Sequence, residues 1–526
     1  MLDAVIIGAG PNGLTAAAAL SRAGLEVLVL EAQDRAGGAA FSLPLVEPGF
    51  LNDVGAAFFP FGTVSPAFRS LDLAGAGLRF AHAPVESAHP ALDGSCGVIA
   101  RDADRMARDL GPDGDAFRGL SRWRARMGDR FIRLTLGALP LVGPALALGP
   151  LSLARLGWAQ LRSAEGFSAR FHTDTARRII PQLSLHADLG PSDFGGAAVG
   201  LVLALLAMDS GFPAAVGGAG TIAAALCTRF TEAGGELRLR TRASKVIVRA
   251  GAVAAVRTST GDEIETRAVL ADTSAPALLL GLVGEADIPR GLARSMRHFE
   301  QGWGTFKLDW TLDGPVPWTA GAARAAAVVH TGGDIPALRR FTHEVRSGQL
   351  PERPYLVIGQ QSLCDPSRAP PGKATLWAYS HVPARSPRGW DADREPFADR
   401  IEGEIEALAP GFRKLVRGRR IFAPPDLEAF DENLVGGDLG GGSAQLRHQF
   451  IFRPAFPYFR YRMGVRGLYL CSASTHPGPG VHGACGYHAA RFALRDLGGG
   501  HAPPTDGLRP KGRSIQRGVS PFQITG

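Results

Sequence analysis

Short apolar runs alternate with a helical pattern at the start of the chain. Residues 5–7 and 27–30 are wholly apolar, as strands buried on both faces are, and the alanine-rich stretch 14–23 between them has the composition of a helix. The first run leads into a glycine-rich turn, and the second ends on an acidic residue. This pattern predicts a strand–helix–strand unit.

The glycines of the first turn follow the spacing Gly8-x-Gly10-x-x-Gly13, and the second strand ends on Glu31. In such a unit Gly8 permits the tight turn, Gly10 lets the backbone approach a pyrophosphate, and Gly13 lets helix and strand pack closely. The helix N-terminus attracts phosphates, and Glu31 can accept hydrogen bonds from ribose hydroxyls. The unit therefore predicts a dinucleotide-binding site.

The rest of the chain divides into a helical part and parts that are rich in strands. Between residues 57 and 214 the pattern predicts helices at 118–136, 151–161 and 194–208. A helix at 221–233 precedes four segments that predict a β-meander, at 236–240, 245–249, 252–259 and 263–270. A mostly antiparallel sheet, the floor of a substrate site, is expected from strands at 305–312, 355–362 and 374–381 with a helix at 394–409. A last apolar strand, 467–471, enters a Gly/Pro turn before a helix to about residue 497.

Further motifs indicate which dinucleotide binds. A second glycine pair, Gly37-Gly38, can pass close to the pyrophosphate again, and segment 50–56 returns at the distance expected beside the cofactor. With these features the chain resembles the FAD-dependent oxidoreductases that carry two dinucleotide-binding motifs, among them phytoene desaturases, carotenoid isomerases and amine oxidases. FAD is therefore favoured over NAD.

Two segments narrow the resemblance to the phytoene desaturase-like superfamily. Segment 467–483 resembles its C-terminal FAD signature, and residues 10–14, Gly-Pro-Asn-Gly-Leu, resemble the branch of carotenoid ketolases and pyridine nucleotide-disulfide oxidoreductase domain-containing protein 2. Segments 377–383 and 448–454 resemble the same branch. The motifs are specific for FAD and for the family, but not for a substrate.

The resemblance implies an α/β fold in which a Rossmann-type FAD-binding domain carries a substrate domain of mixed sheet plus helical cap. The FAD domain would be discontinuous, comprising residues 1–70, 211–285 and 440–497, and the substrate domain would comprise 71–210 and 286–439. The residues implied at the cofactor are Gly8, Gly10, Pro11, Asn12, Gly13, Glu31, Ala32, Arg35, Gly37, Gly38, Ala39, Val246, Ala271, Pro477, Gly478, Gly480 and Val481.

The candidate catalytic residues are His476, His482 and Lys307. The two histidines flank the expected flavin end, where either could hydrogen-bond the flavin or handle a proton, or could cap the turn and helix. Lys307 stands mid-strand, where related amine oxidases carry a lysine that orders water at the flavin; a lysine there more often faces solvent, and we expect it to do so. The sequence has no CxxC pair, no Ser/His/Asp order and no metal-ligand spacing, so the chemistry must come from the flavin.

The resemblance implies hydride transfer between flavin and an activated, allylic carbon of a lipophilic substrate such as a polyene or a carotenoid. Three alternatives stay open: a redox-neutral flavin-dependent isomerase, an amine oxidase, and a flavin-stabilised interaction protein. The electron partner would be oxygen, a quinone or NAD(P). No metal is expected, and the oligomeric state is not indicated.

Composition narrows the partners. The formal charge is +8 at pH 7, but the basic residues are mainly arginines spread along the chain, as on a solvated surface, so nucleic acid is not expected. Five scattered cysteines predict free thiols in a reducing, cytoplasmic compartment. Prolines interrupt the apolar stretch 134–153, which favours a buried or interfacial segment, with peripheral membrane contact, over a spanning helix. Residues 498–526 are predicted to be disordered.

Overall fold

The computed structural model of the protein describes residues 1–498. The tail that the sequence predicts to be disordered lies, from residue 499 onward, outside the described residues. Within residues 1–498 no helix is both long enough and apolar enough to cross a membrane.

A five-stranded parallel sheet forms the first layer of the fold. Its strands lie in the order Leu468–Leu470, Val269–Ala271, Ala4–Ile7, Val27–Leu30 and Glu236–Arg238. Three helices bury their apolar sides against one face, Pro11–Arg22, Gly220–Glu232 and Ala484–Asp496. The predicted strand–helix–strand unit is therefore the centre of this sheet.

A small antiparallel sheet covers the other face, with the strands Ala243–Arg249, Ala252–Thr258 and Glu263–Glu265. Helix Arg290–Arg297 and a π-helical segment, Ala277–Val283, pack beside it. The prediction of one strand over 263–270 is wrong. The chain turns at Thr266, whose Oγ1 donates to Ala268 O at 2.9 Å, and only the part after this turn joins the parallel sheet.

A seven-stranded mixed sheet forms the second layer. Its order is Val416–Phe422, Gly304–Leu312, Ala374–Val382, Val357–Gly359, Ala326–His330, Val85–Pro90 and Cys96–Ile99. Only the pair Ala326–His330 and Val85–Pro90 is parallel. Helix Trp390–Leu408 covers one face, where Phe306 stacks on Trp390 at 5.4 Å between ring centroids. Because side chains alternate along a strand, the odd-numbered residues of Gly304–Leu312 face the other way.

Residues 103–207 are mainly helical, as the sequence predicts. The helices are Ala103–Asp109, Gly114–Met127, Asp129–Thr135, Val142–Leu148, Pro150–Gln160, Ala164–Ser168, Asp174–Arg177, Ile179–Ser184 and Gly196–Ala207. The single helix predicted at 118–136 is broken at Gly128, whose φ of +51° ends one helix before the next begins.

Short elements complete the described chain. Two short antiparallel strand pairs join Ser42–Leu43 with Asn52–Asp53 and Phe80–Ala81 with Ala214–Ala215. The remaining helices are Pro66–Ser70, Ile335–Arg346, Gln361–Cys364, Phe412–Leu415 and Pro424–Phe430. Strands of the parallel sheet come from three separate parts of the chain, and the exact domain boundaries stay a prediction.

Candidate functional site

The opening glycine turn is built so that side chains do not fit. Gly8 has a φ of +94°, and a Cβ atom on Gly13 would lie 2.2 Å from the carbonyl oxygen of Gly8. A Cβ on Gly10 would lie 2.5 Å from a carboxylate oxygen of Asp272. The turn therefore keeps the backbone open at the start of helix Pro11–Arg22, as a cradle for a pyrophosphate requires.

An acidic residue that was not among the predicted site residues sits at this helix N-terminus. Asp272 Oδ2 accepts a hydrogen bond from Gly13 N at 2.8 Å. Burial is the largest cause that raises the pKa of this carboxyl group, to about 7, and the nearby acids Asp431 and Glu31 add to it. The sequence signal was present, because Asp272 directly follows the apolar strand Val269–Ala271.

The acid at the end of the second strand also faces the turn. Glu31 Oε2 accepts from the backbone N–H of Ala9 at 2.7 Å, and Oε1 accepts from Gln33 N at 2.8 Å. The predicted residue Ala32 lies beside it and is exposed. Glu31 is thus held against the glycine turn, at the place where the resemblance puts a ribose.

The second glycine pair lies directly against the first turn. Gly37 N donates to Ala9 O at 2.9 Å, and a Cβ on Gly38 would lie 3.4 Å from the Cα of Gly10. Ala39 packs against Gly55, whose added Cβ would lie 2.3 Å from the Ala39 carbonyl oxygen. The first glycine turn, the second glycine pair and Gly55 are separated in the sequence but together form one cradle.

The guanidinium of Arg35 lies between two aromatic rings. It is 5.0 Å from the centroid of Phe41 and 4.7 Å from that of Phe430, and it pairs with Asp34 at 3.2 Å. This placement holds Arg35 at the second glycine pair through cation–π contacts.

Residues 476–486, here called the closing segment, meet the opening helix Pro11–Arg22. A Cβ on Gly486 would lie 1.9 Å from Asn12 O, and one on Gly483 would lie 2.5 Å from Thr15 Oγ1. The predicted residues Pro477, Gly478, Gly480 and Val481 precede this contact, and Val481 has a φ of +50°. Among residues 1–498, the buried Oδ1 of Asn12 has no hydrogen-bond partner.

Two of the candidate catalytic residues lie in this closing segment. His482 Nδ1 accepts from Ala484 N at 3.0 Å, and its ring meets Phe61 edge-on at 5.8 Å. The ring centroid of His476 lies 5.9 Å from that of Phe450. Burial lowers the pKa of His476 to about 3 and that of His482 to about 4, so both are neutral near pH 7. Each keeps a buried Nε2 that has no partner in the described chain.

The two other predicted cofactor residues lie in the core beside the strand ends. Ala271 pairs with Ile7 and with Leu470 in the parallel sheet. Val246 is buried in the small antiparallel sheet. Both residues are completely buried.

The expectation that Lys307 faces solvent is wrong. Its side chain is 1% exposed and forms an ion pair with Asp309, two residues along the same strand face. The ammonium also lies 5.3 Å from the ring centroid of Phe422. Burial lowers the pKa of Lys307 and raises that of Asp309 to about 6. The hydrophobic pattern did not predict this. A strand whose charged residues form a buried ion pair has the same alternation of apolar and charged positions as a strand with one face in solvent.

Polar side chains cover that face of the paired strands Gly304–Leu312 and Ala374–Val382. Lys307 lies opposite Tyr379, Asp309 opposite Trp377, and Thr305 opposite His381. In residues 1–498 several buried polar atoms of this face have no hydrogen-bond partner, namely those of Thr305 (Oγ1), Asp309 (Oδ1), Thr311 (Oγ1), Thr375 (Oγ1), Trp377 (Nε1) and His381 (Nδ1). Since buried polar atoms are rarely left unpaired, this face is suited to bind a ligand or water. We call it the polar sheet face.

Comparison with known proteins now identifies the family. The family of flavin-containing amine oxidoreductases matches residues 12–491. The chain belongs to this family. It is 27% identical to pyridine nucleotide-disulfide oxidoreductase domain-containing protein 2 of Rattus norvegicus, covering 94% of each chain. It is 26% identical to a lycopene-forming phytoene desaturase of Pseudescherichia vulneris, covering 94% of this chain and all (100%) of the relative.

Solved structures share the fold. An oxidoreductase from Methanosarcina mazei superposes with a TM-score of 0.61 at 17% identity, covering 94% of this chain and 100% of the other. Putrescine oxidase superposes with a TM-score of 0.58 at 17% identity, covering 94% and 98%. The α/β FAD-binding fold implied by the motifs is confirmed.

The cofactor of this flavoprotein family member is FAD, and the observed cradle fits it. The glycine positions leave no room for side chains, two glycine turns meet, and the unpartnered Asn12 Oδ1 lies at the helix start. The opening and second turns would hold the pyrophosphate and Glu31 the ribose, with the closing segment at the flavin. Bound FAD supplies the capacity to accept or donate a hydride. Which individual residues contact it stays a prediction.

Proposed function

We propose that this FAD-dependent oxidoreductase transfers a hydride to or from an activated, allylic carbon of a lipophilic substrate, such as a polyene or a carotenoid-like molecule. The observation that carries the proposal is the chemistry of the closing segment. His476 and His482 are buried, each keeps an Nε2 without a partner in the described chain, and burial lowers both pKa values, so uncharged groups would face the flavin.

Relatives support the same substrate class. Besides the phytoene desaturase of P. vulneris, a neurosporene-forming phytoene desaturase of Rhodobacter capsulatus is 28% identical over 92% of each chain. The chain would bind its substrate on the polar sheet face and orient the reacting carbon there, while the closing histidines keep bulk water and protons away from the hydride path.

The decisive experiment is anaerobic reduction of the purified, FAD-loaded protein. Phytoene or neurosporene in detergent should bleach the flavin absorbance near 450 nm, and mass spectrometry should find a product two hydrogens lighter. Reoxidation with oxygen, a quinone or NAD(P) then identifies the electron partner. A protein that acts only after prereduction and consumes no acceptor would be an isomerase. A flavin that no such substrate reduces, and whose reduced form no polyene reoxidises, would refute the proposal.

We further propose that the protein, placed in the cytoplasm, docks on a membrane surface. Leu146 and Leu151, in the helices Val142–Leu148 and Pro150–Gln160, are 75% and 80% exposed. Val142, Trp158 and Leu161, in or directly after the same two helices, are exposed as well, and Phe194, Phe450, Ile451, Phe452 and Phe456 are exposed elsewhere in the described chain. Apolar surface of this extent marks an interaction site.

Charge favours an anionic lipid surface as the partner. Between Asp129 and Glu165 the chain has no acidic residue, and its only charged side chains are arginines. Trp158 lies between Arg162 and Arg170, 4.7 and 4.5 Å from its ring centroid. Tryptophan beside arginine is typical of helices that lie in the membrane interface.

Vesicle sedimentation tests the docking. The protein should bind vesicles that contain phosphatidylglycerol, and Leu146→Glu with Leu151→Glu should reduce the bound fraction at least tenfold. Leu92, which is 61% exposed at a turn elsewhere, provides the control substitution Leu92→Glu. Equal binding by all three proteins would contradict the proposal.

A further inference from the structure

A row of hydrogen bonds, three of them buried and the last partly buried, joins side chains from three parts of the fold. Gln182 Oε1 lies 2.7 Å from His89 Nδ1, and His89 Nε2 lies 2.9 Å from Ser87 Oγ. Ser87 Oγ lies 3.0 Å from His330 Nδ1, and His330 Nε2 lies 2.6 Å from His186 Nε2. We call these five side chains the imidazole chain.

The imidazole chain has a single consistent direction. Gln182 Nε2 donates to Gly333 O at 3.4 Å, which turns the amide oxygen towards His89. His89 must then donate from Nδ1, so its Nε2 accepts the hydroxyl proton of Ser87. Ser87 Oγ has no second proton and accepts from His330 Nδ1, which leaves His330 Nε2 as an acceptor.

The last link fixes the tautomer of His186. Because His330 Nε2 accepts, the proton of His186 is on Nε2 and its Nδ1 carries a lone pair. Burial lowers the pKa of His89 and of His186 to about 3 and that of His330 well below its ordinary value, so the imidazoles are neutral. Within residues 1–498 the ring hydrogen bond of His186 is made at Nε2, and the residue is only partly buried.

His186 lies beside the polar sheet face. Its ring centroid is 6.5 Å from that of Tyr379 and 6.3 Å from that of Phe212. Segment 58–61 connects this place to the closing segment, because Phe58 meets Trp377 at 6.5 Å and Phe61 meets His482 at 5.8 Å. Ring contacts thus run from His186 through Tyr379, Trp377 and Phe58 to the segment whose Phe61 meets His482.

We propose that His186 Nδ1 accepts a hydrogen bond from a hydroxyl group of a lipophilic ligand, so that a lipophilic alcohol binds more tightly than the hydrocarbon of the same carbon skeleton. The inference rests on the proposed function for the lipophilic part of the substrate. The rest of the imidazole chain positions the acceptor by holding its tautomer.

The test uses the FAD-loaded protein with oxidised flavin and two probes, geranylgeraniol and the hydrocarbon of the same carbon skeleton. Binding is followed by the change in flavin absorbance. His186→Phe should weaken geranylgeraniol binding about tenfold, the effect of one lost hydrogen bond, and leave hydrocarbon binding unchanged. His343→Phe, at an exposed position of helix Ile335–Arg346, should change neither.

A spectroscopic measurement tests the positioning role independently of folding defects in one variant. In ¹⁵N-histidine-labelled protein, His186 should show a protonated Nε2 and a bare Nδ1 from pH 5 to pH 8, and geranylgeraniol should shift the Nδ1 resonance. Ser87→Ala should mix the two tautomers of His330 and His186.

Several outcomes would overturn the inference. They are an Nδ1-protonated His186, a titration between pH 5 and pH 8, no binding of geranylgeraniol, or equal loss of both probes in His186→Phe. None of these measurements needs turnover, so they are independent of whether a polyene reduces the flavin, which decides the proposed function.

Discussion

At the scale of single residues, buried charge is what distinguishes this site from an ordinary core. Asp272 accepts a hydrogen bond from the helix amide that a dinucleotide phosphate is expected to approach, and Lys307 is paired with Asp309 on the polar sheet face. Both arrangements depend on burial, because burial shifts the pKa of a carboxyl group. The protonation state of that group then sets the negative charge of the site.

The first prediction concerns the pH dependence of FAD affinity. The folded-state pKa of Asp272 is raised from 3.8 to about 7, so the neutral form is favoured in the folded protein. As pH rises from 6 to 8 the carboxylate becomes charged beside the phosphates, and we expect the FAD dissociation constant to rise about tenfold. Asp272→Asn should flatten this dependence. Isothermal titration calorimetry between pH 6 and pH 8 measures the dissociation constant, and Asp287→Asn at an exposed position is the control. If the dissociation constant depends on pH equally in both variants, the prediction is contradicted.

The same group affects stability without FAD. Because its pKa is raised on folding, Asp272 contributes stability in the neutral form, and that contribution is lost as pH rises from 3.8 through about 7. In the Asp272→Asn variant, which has no carboxyl group at this position, this loss of stability should be absent over the same pH range.

The second prediction concerns the ion pair on the strand. Lys307→Met leaves Asp309 buried without its partner and should lower the free energy of unfolding by about 3–5 kcal/mol. The double substitution Lys307→Met with Asp309→Leu should recover most of the loss. Urea unfolding measures both, and Lys373→Met, which removes an exposed pair with Asp313, should cost no more than about 1 kcal/mol.

At the scale of elements, two features place the site: the strand ends of the parallel sheet and one face of the antiparallel pair Gly304–Leu312 and Ala374–Val382. The first was predicted well, since apolar strands, glycine spacing and an Ala-rich helix are local signals. The second was predicted as a sheet but with Lys307 facing solvent, because a strand pattern does not say what covers each face.

The third prediction concerns the helix–strand contact. In Gly13→Ala the new Cβ would lie 2.2 Å from the backbone oxygen of Gly8, which cannot move aside as a side chain could. Overpacking of this kind costs about 1–3 kcal/mol, and the disturbed turn should reduce the bound FAD per protein at least tenfold. Absorbance at 450 nm relative to 280 nm measures this. Gly143→Ala, which meets nothing within 4 Å, is the matched control, and equal flavin content in both would contradict the prediction.

At the scale of the whole molecule, the FAD site joins segments from both ends of the chain. Helices Pro11–Arg22 and Ala484–Asp496 touch at Asn12 and Gly486, and the second glycine pair closes over the first turn. A ligand that contacts all three segments binds only when they are assembled. Bound FAD should therefore stabilise the assembled tertiary structure against unfolding.

The fourth prediction follows from this assembly. Adding FAD to the apoprotein at a hundredfold excess over its dissociation constant should raise the free energy of unfolding by about 2.7 kcal/mol. Thermal unfolding at increasing FAD concentration measures this shift, and riboflavin, which lacks the pyrophosphate and adenosine, should give a much smaller one. An equal effect of both compounds would show that the glycine turns do not hold the pyrophosphate.

The sequence by itself determined the cofactor class, the family and the opening strand–helix–strand unit, because those signals lie within short stretches whose spacing is set by backbone geometry. Only the tertiary structure decided that Lys307 is buried, that Asp272 meets the amide of Gly13, and that Ser87, His186 and His330 form one chain of hydrogen bonds. Residues 87 and 330 are brought together by parallel strand pairing across more than two hundred residues, and a pattern of neighbouring positions contains no record of such a pairing.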